Sequence, residues 1–247
     1  MPRILGVGQE VGGIGKSTAV RGIAEAVPDA PILEIESTPR ILEYDHGDTP
    51  RPKRVTHFPV GADRAAIEAT GGQAARQEFD PVINAMIAAQ LPSIVDIGAN
   101  TANSLLGSFD EELVAGFSRA GVELGLLVVL TADPAALTEG AKLLASARRW
   151  AKARFVVENR LRGEIDPALL AQVTDGVPVT ILAKWEFEPR TIGFLQAVGL
   201  HAIPQLTSAD FERQHGFNEA RRMVNDLKAF RLAVMQAVLP AATWLAS

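Results

Sequence analysis

Gly12, Gly13, Ile14, Gly15, Lys16, Ser17 and Thr18 set three glycines immediately before a lysine and two hydroxyls. That grouping suits the holding of a phosphate chain. Glycines let the backbone curl until several N–H groups point at one anion, and a helix that follows adds the partial positive charge of its N-terminus. Lys16, expected as an exposed ligand rather than a core residue, would reach the β- and γ-phosphates, and the Ser17 hydroxyl would ligate Mg²⁺. Thr18 would lie nearer the α-phosphate. The usual pattern has glycine five residues before Gly15, and here Glu10 stands there. A glycine turn that merely joins a strand to a helix is the competing reading. The register of Gly15, Lys16, Ser17 and Thr18 with a strand before and a helix after favours the phosphate loop.

Two further groups end predicted strands, where ligands bind in open parallel sheets. Glu34, Ile35 and Glu36 follow one strand, and Asp96 closes another in the run Ile94, Val95, Asp96, Ile97, Gly98. One carboxylate so placed can hold Mg²⁺ through water, and another can orient an attacking water. Asp45, His46 and Asp48 read as part of a solvated loop rather than a metal cluster. Arg148, Arg149, Lys152 and Arg154 gather at a helix end, with Arg160 and Arg162 beyond the next strand. A solvated face favoured by the helix dipole explains them, with DNA contact as the lesser reading.

The elements that must position these residues alternate. Apolar runs at 4–8, 31–36, 93–97, 124–131, 154–158 and 177–182 predict strands, with weaker ones at 55–60 and 201–204. Most are apolar on consecutive residues, as in strands covered on both faces. Helices are expected over 16–26, 74–90, 103–119, 134–152, 166–172, 190–198 and 217–238, the last ended by Pro240. The pattern predicts an α/β fold: a mostly parallel twisted sheet with helices on both faces, the three-layer arrangement of P-loop nucleotide-binding domains. The region 44–54 reads as a mobile loop, and the apolar tail from Ala241, with Trp244, as a packed terminus.

The 247 residues suit one large domain over 1–247. A net charge of −5 argues against a surface given over to nucleic acid, and the lack of cysteine excludes thiolate metal sites and disulfides. The longest apolar run, 124–130, falls short of the ~20 residues needed to cross a bilayer. No membrane span and a cytoplasmic location are expected.

The loop from Val11 to Thr18 resembles the deviant phosphate loop of the ParA/MinD class of ATPases, which reads lysine, two glycines, any residue, then Gly-Lys-Thr/Ser-Thr. Glu34 and Glu36 fall where that class carries its Asp-x-Asp switch I pair, and Asp96 on its switch II aspartate. Asn159 matches an asparagine that contacts adenine, and Ile203, Pro204 and Gln205 match a turn flanking the base. The resemblance implies ATP and Mg²⁺ as cofactors and a nucleotide-dependent homodimer. Its nearest branch is that of the StbB-like and TraL-like plasmid proteins, suggested by the segment 76–80 with 95–99. It further implies a DNA or DNA-bound partner. Val11 replaces the signature lysine, which in that class reaches the partner's nucleotide. The longer Glu34 and Glu36 replace aspartates, and Glu10 adds negative charge beside an anion site.

The expected function is therefore an ATP-binding switch and slow ATPase in plasmid stability, partition or transfer. Lys16, Glu36 and Asp96 would act in hydrolysis, and Gly12 to Thr18, Asn159 and Pro204 would bind nucleotide. A scaffold with negligible hydrolysis, or an ATP-dependent synthetase on the same fold, are the alternatives.

Overall fold

A computed structural model describes residues 1–45, 53–60, 73–188 and 190–247, with the backbone alone for 73–77 and 196–198. The expected loop 44–54 and the group at 45–48 fall largely outside these residues.

Among the described residues seven strands form one sheet: β1 (Arg3–Gly8), β2 (Ile32–Ile35), β3 (Val55–Phe58), β4 (Ser93–Ile97), β5 (Glu123–Leu130), β6 (Ala153–Asn159) and β7 (Val179–Leu182). Their order is β3-β2-β4-β1-β5-β6-β7, and every pairing is parallel. Strand order therefore reverses at β1, and the crevice beyond its carboxyl end is where such sheets bind ligands. Successive residues of β1 feed opposite layers. Leu5 and Val7 pack with α1 (Lys16–Ala26), α7 (Thr191–Ala202) and α8 (Ala209–Ala246). Ile4 packs with α2 (Gln73–Ile87), α3 (Ala102–Gly107), α4 (Glu111–Arg119) and α5 (Pro134–Ala147), and α6 (Pro167–Thr174) extends that layer. Burial on both faces explains why the central strands are apolar at consecutive positions.

Three expectations about elements are corrected. The helix expected over 103–119 is two, because Asp110 accepts a hydrogen bond from the Leu113 N–H at 2.9 Å and caps a new start. The strand expected at 201–204 is the end of α7 and a 3-10 turn, since a four-residue apolar run fits a buried helix end equally well. The last helix breaks at Gly216 (φ 72°) but runs through Pro240 to Ala246. An interior proline costs about 3 kcal/mol. Burying Ala241, Ala242 and Leu245 offsets that at about 0.8 kcal/mol per methylene-sized group.

The tail is packed. A β-carbon on Gly125 would lie 2.5 Å from the Trp244 ring, and Arg3 Nη1 donates to the Trp244 carbonyl at 2.6 Å. By length and composition α8 is also the one helix among the described residues apolar enough to cross a membrane, with 39% of that stretch buried.

Candidate functional site

Between β1 and α1 the chain turns on two left-handed glycines, Gly13 (φ 70°) and Gly15 (φ 96°), the second serving as N-cap of α1. No side chain caps α1 and its first turn carries no acid, so its N-terminal amides are left for an anion. The loop is anchored from beneath by Ile14, whose side chain is fully buried with α1, α7 and α8. Asn159, at the end of β6, donates its amide N–H to the Ile14 carbonyl at 2.9 Å.

Above the loop lies a cavity of about 450 Å³. Gly12, Gly13, Gly15, Lys16, Ser17 and Thr18 line its floor, Asp96, Ala99, Glu36 and Arg40 one end, and Asn159, Leu161 and Leu182 to Trp185 the other, with Phe187, Ile192, Leu195 and Phe230. Strand order explains this polarity. The acidic end belongs to β4 and β2 on one side of β1, and the apolar end to β6 and β7 on the other.

Lys16 is only 8% exposed and its Nζ donates to the Val11 carbonyl at 3.0 Å, so the expectation of an exposed lysine is corrected. Burial holds its ammonium below the ordinary value, against the charges of Asp96, Glu36 and Glu10. Asp96 is buried too. Desolvation, with the Glu34 charge beside it, pushes its carboxyl up to about 7 against the pull of Lys16. Glu34 and Asp96 are in register on β2 and β4, and His57 continues the same row on β3. Glu34 accepts from the Arg40 N–H at 2.6 Å through Oε1, while Oε2 is buried with no hydrogen-bond partner among the described residues. Burial raises the Glu34 pKa as well. Glu36, less buried, pairs with Arg40 at 3.1 Å. Its other oxygen lies where a β-carbon on Gly98 would come within 2.5 Å, which only glycine permits.

Several expected residues sit elsewhere. The Ile14 side chain belongs to the core, so only its backbone can face a ligand. Pro204 is exposed in the turn 203–205 and does not line the cavity. Glu10 turns to α3, where its carboxylate accepts from the Asn103 N–H, although its charge is still felt at Lys16. Half of the basic group is ion-paired in place: Arg148 with Asp175, Arg160 with Glu158 and Glu164, and Arg162 with Asp133.

Other site residues were missed in the sequence. Gln9, fully buried, donates to the carbonyls of Val129 (3.2 Å) and Ala136 (2.9 Å) and accepts from the Glu10 N–H, tying the root of the loop to β5 and α5. Trp185, Phe187 and Phe230 form an aromatic wall, with ring centroids 5.7 Å and 4.8 Å apart for the pairs involving Phe230. Asp226 of α8 fixes it, accepting from Trp185 Nε1 and the Glu188 N–H, each at 2.8 Å. The signal that could have found the wall is the aromatic pair just beyond β7, at a carboxyl end of the sheet.

No family model and no curated protein matches the sequence. Among solved structures, the chain is similar to the MinD cell division protein of Aquifex aeolicus, with 12% identity and a TM-score of 0.41 over 92% of this chain and 95% of that one. It is likewise similar to the MinC:MinD complex of that organism (13%, TM-score 0.41, 92% and 95%). A Cyanothece McdA variant in complex with ATP aligns at 12% identity with a TM-score of 0.44, over 93% of this chain and 96% of that one. Likenesses this distant carry no function across, and the reading of the site rests on its own geometry.

Proposed function

We propose that this chain is an ATP-binding molecular switch of the ParA/MinD-like class with slow intrinsic hydrolysis. One observation carries the reading: an uncapped helix N-terminus and Lys16 share a cavity with buried Asp96 at one end and an apolar aromatic wall at the other. A ligand matching it has a flat apolar group, a chain of anions and a terminal charge, which describes a purine nucleotide with its phosphates on the loop.

In this reading the amides of Gly12 to Ser17 and the Lys16 ammonium hold the phosphates. Trp185, Phe187 and Phe230 receive the base. Asn159 borders the base, and its bond to Ile14 holds the loop in shape. Pro204 would touch nucleotide only if the turn 203–205 moved inward. Glu36 would orient the attacking water once released from Arg40.

The donor set fits Mg²⁺. Ser17 and Asp96 offer hard oxygens, and Glu34 Oε2 is a buried oxygen without a partner beside Asp96. Among the described residues no three His, Asp or Glu side chains could hold a metal by themselves, so phosphate oxygens and water would complete the shell, as Mg²⁺ prefers. When bound, the ion would neutralise charge between the β- and γ-phosphates.

The finer reading adds a nucleotide-dependent homodimer, a DNA or DNA-bound partner and a role in plasmid stability or transfer. Its support is the resemblance of the loop, Glu34, Glu36 and Asp96 to that class. A second reading, a scaffold that binds ATP with negligible hydrolysis, is favoured by one observation: Glu36 is already tied to Arg40. Single-turnover hydrolysis by purified protein, alone and with DNA, separates them. A measurable first-order conversion of bound ATP supports the switch. Bound ATP recovered intact supports the scaffold.

A further inference from the structure

The acidic end of the cavity holds Arg40, a cation whose backbone is fixed and whose side chain is more than half exposed. Arg40 donates its N–H to Glu34 at 2.6 Å and accepts at its carbonyl from Arg21 Nη2 at 2.8 Å. The next residue, Ile41, is fully buried. The Arg40 side chain is nonetheless 58% exposed, and among the described residues the 3.1 Å pair with Glu36 is what holds it. A half-exposed ion pair of this kind is weak, and a guanidinium exchanges a carboxylate readily for a phosphate of higher charge.

Strand order says which phosphate would meet it. Neighbouring strands lie about 4.8 Å apart, so β2 stands roughly 10 Å from β1 on one side and β7 roughly 14 Å on the other. A nucleotide whose base rests on the wall beyond β7 and whose middle phosphates sit on the loop after β1 must direct its terminal phosphate toward β4 and β2. Among the described residues, the cations lining the cavity are Lys16, Arg40 and Lys184. Lys184 follows β7 at the base end, and Lys16, which would reach the β- as well as the γ-phosphate, would in part serve di- and triphosphates alike. Arg160 does not line the cavity and is held by Glu158 and Glu164.

We infer that Arg40 is the residue by which this site distinguishes a nucleoside triphosphate from a diphosphate, leaving Glu36 for the γ-phosphate. The inference rests on the nucleotide reading above and adds to it a specificity-determining residue that acts within one chain. Glu36, when freed, becomes available to a water at the same phosphate.

Calorimetric titration with the β,γ-imido analogue of ATP and with ADP, each with Mg²⁺, tests this on wild type, Arg40→Ala, Arg40→Lys and Glu36→Gln. Arg40→Ala should weaken the triphosphate analogue about 10- to 100-fold, the range for losing one charge-assisted contact, and ADP by less than about 2-fold. Arg40→Lys should restore part of the difference. Glu36→Gln, which removes the competitor, should bind the analogue at least as tightly as wild type. Equal losses for both ligands in Arg40→Ala, or none for either, would overturn the inference while the nucleotide reading stood. Wild type that bound neither ligand would overturn both.

Discussion

The Asn159 side chain donates to the Ile14 carbonyl at 2.9 Å, and its amide nitrogen lies 2.5 Å from where a β-carbon on Gly15 would stand. The end of β6 and the phosphate loop are thus fitted to each other with no room for a methyl group.

Gly15→Ala should therefore be doubly costly. Its φ of 96° is strained for an L-residue by about 1–2 kcal/mol, and the new methyl would displace Asn159. Nucleotide binding should fall at least about tenfold, with a modest drop in thermal midpoint. Asn159→Ala in the same background should recover part of the stability but not the affinity, because the loop loses its tie. Thermal melts and titrations of the two variants check this; full binding by Gly15→Ala would show that the loop tolerates a different shape.

The buried acidic row makes a prediction about pH. Asp96 sits near 7 in the folded chain against 3.8 for an ordinary aspartate, so the folded state binds the extra proton between those values. Stability should then fall as pH rises from about 4 to 7 and level off above, with Glu34, also raised, adding in the same direction. Asp96→Asn should flatten the slope. Thermal midpoints of wild type and variant across this range provide the measurement. A wild-type midpoint that climbs steadily over the window would contradict the assignment.

Val11 predicts slow turnover. Its side chain packs against the core layer of α1, α7 and α8, and it has no charge to offer a second nucleotide. A cation supplied across an interface in phosphoryl transfer is worth about 10³–10⁵ in rate. Basal steady-state hydrolysis should be very slow, and Val11→Lys should raise it if chains pair over nucleotide. Rapid wild-type turnover unaffected by Arg40→Ala would show that the chemistry needs no such charge.

What was legible in the sequence was local or strand-bound. Gly12 to Ser17 carry their meaning within one turn, and Glu34 and Asp96 reveal themselves by ending apolar runs. The rest depends on neighbours distant in the chain. Trp185 and Phe187 share a cavity with the loop because β7 is laid three strands from β1, and Asp226 reaches Trp185 from α8. The Glu10 charge is felt at Lys16, as expected, but its bond to the Asn103 N–H comes from a distant part of the chain. The break at Asp110 was hidden by an apolar pattern continuing across it, although an aspartate before two glutamates is a helix start. Pro240 misled because packing outweighed a local rule.

The central claim is that Lys16 grips phosphate. Because the lysine is buried, its removal takes a cation from beside Asp96, but Glu36 keeps its pair with Arg40 and Asp96 can answer by staying protonated near neutrality, so the fold should survive. The direct measurement is calorimetric titration of wild type, Lys16→Ala and Lys16→Gln with ATP and ADP in the presence of Mg²⁺, alongside circular dichroism of each. Wild type should bind both nucleotides, and both variants should keep the wild-type spectrum and lose detectable binding. Near-wild-type affinity in either folded variant would contradict the account.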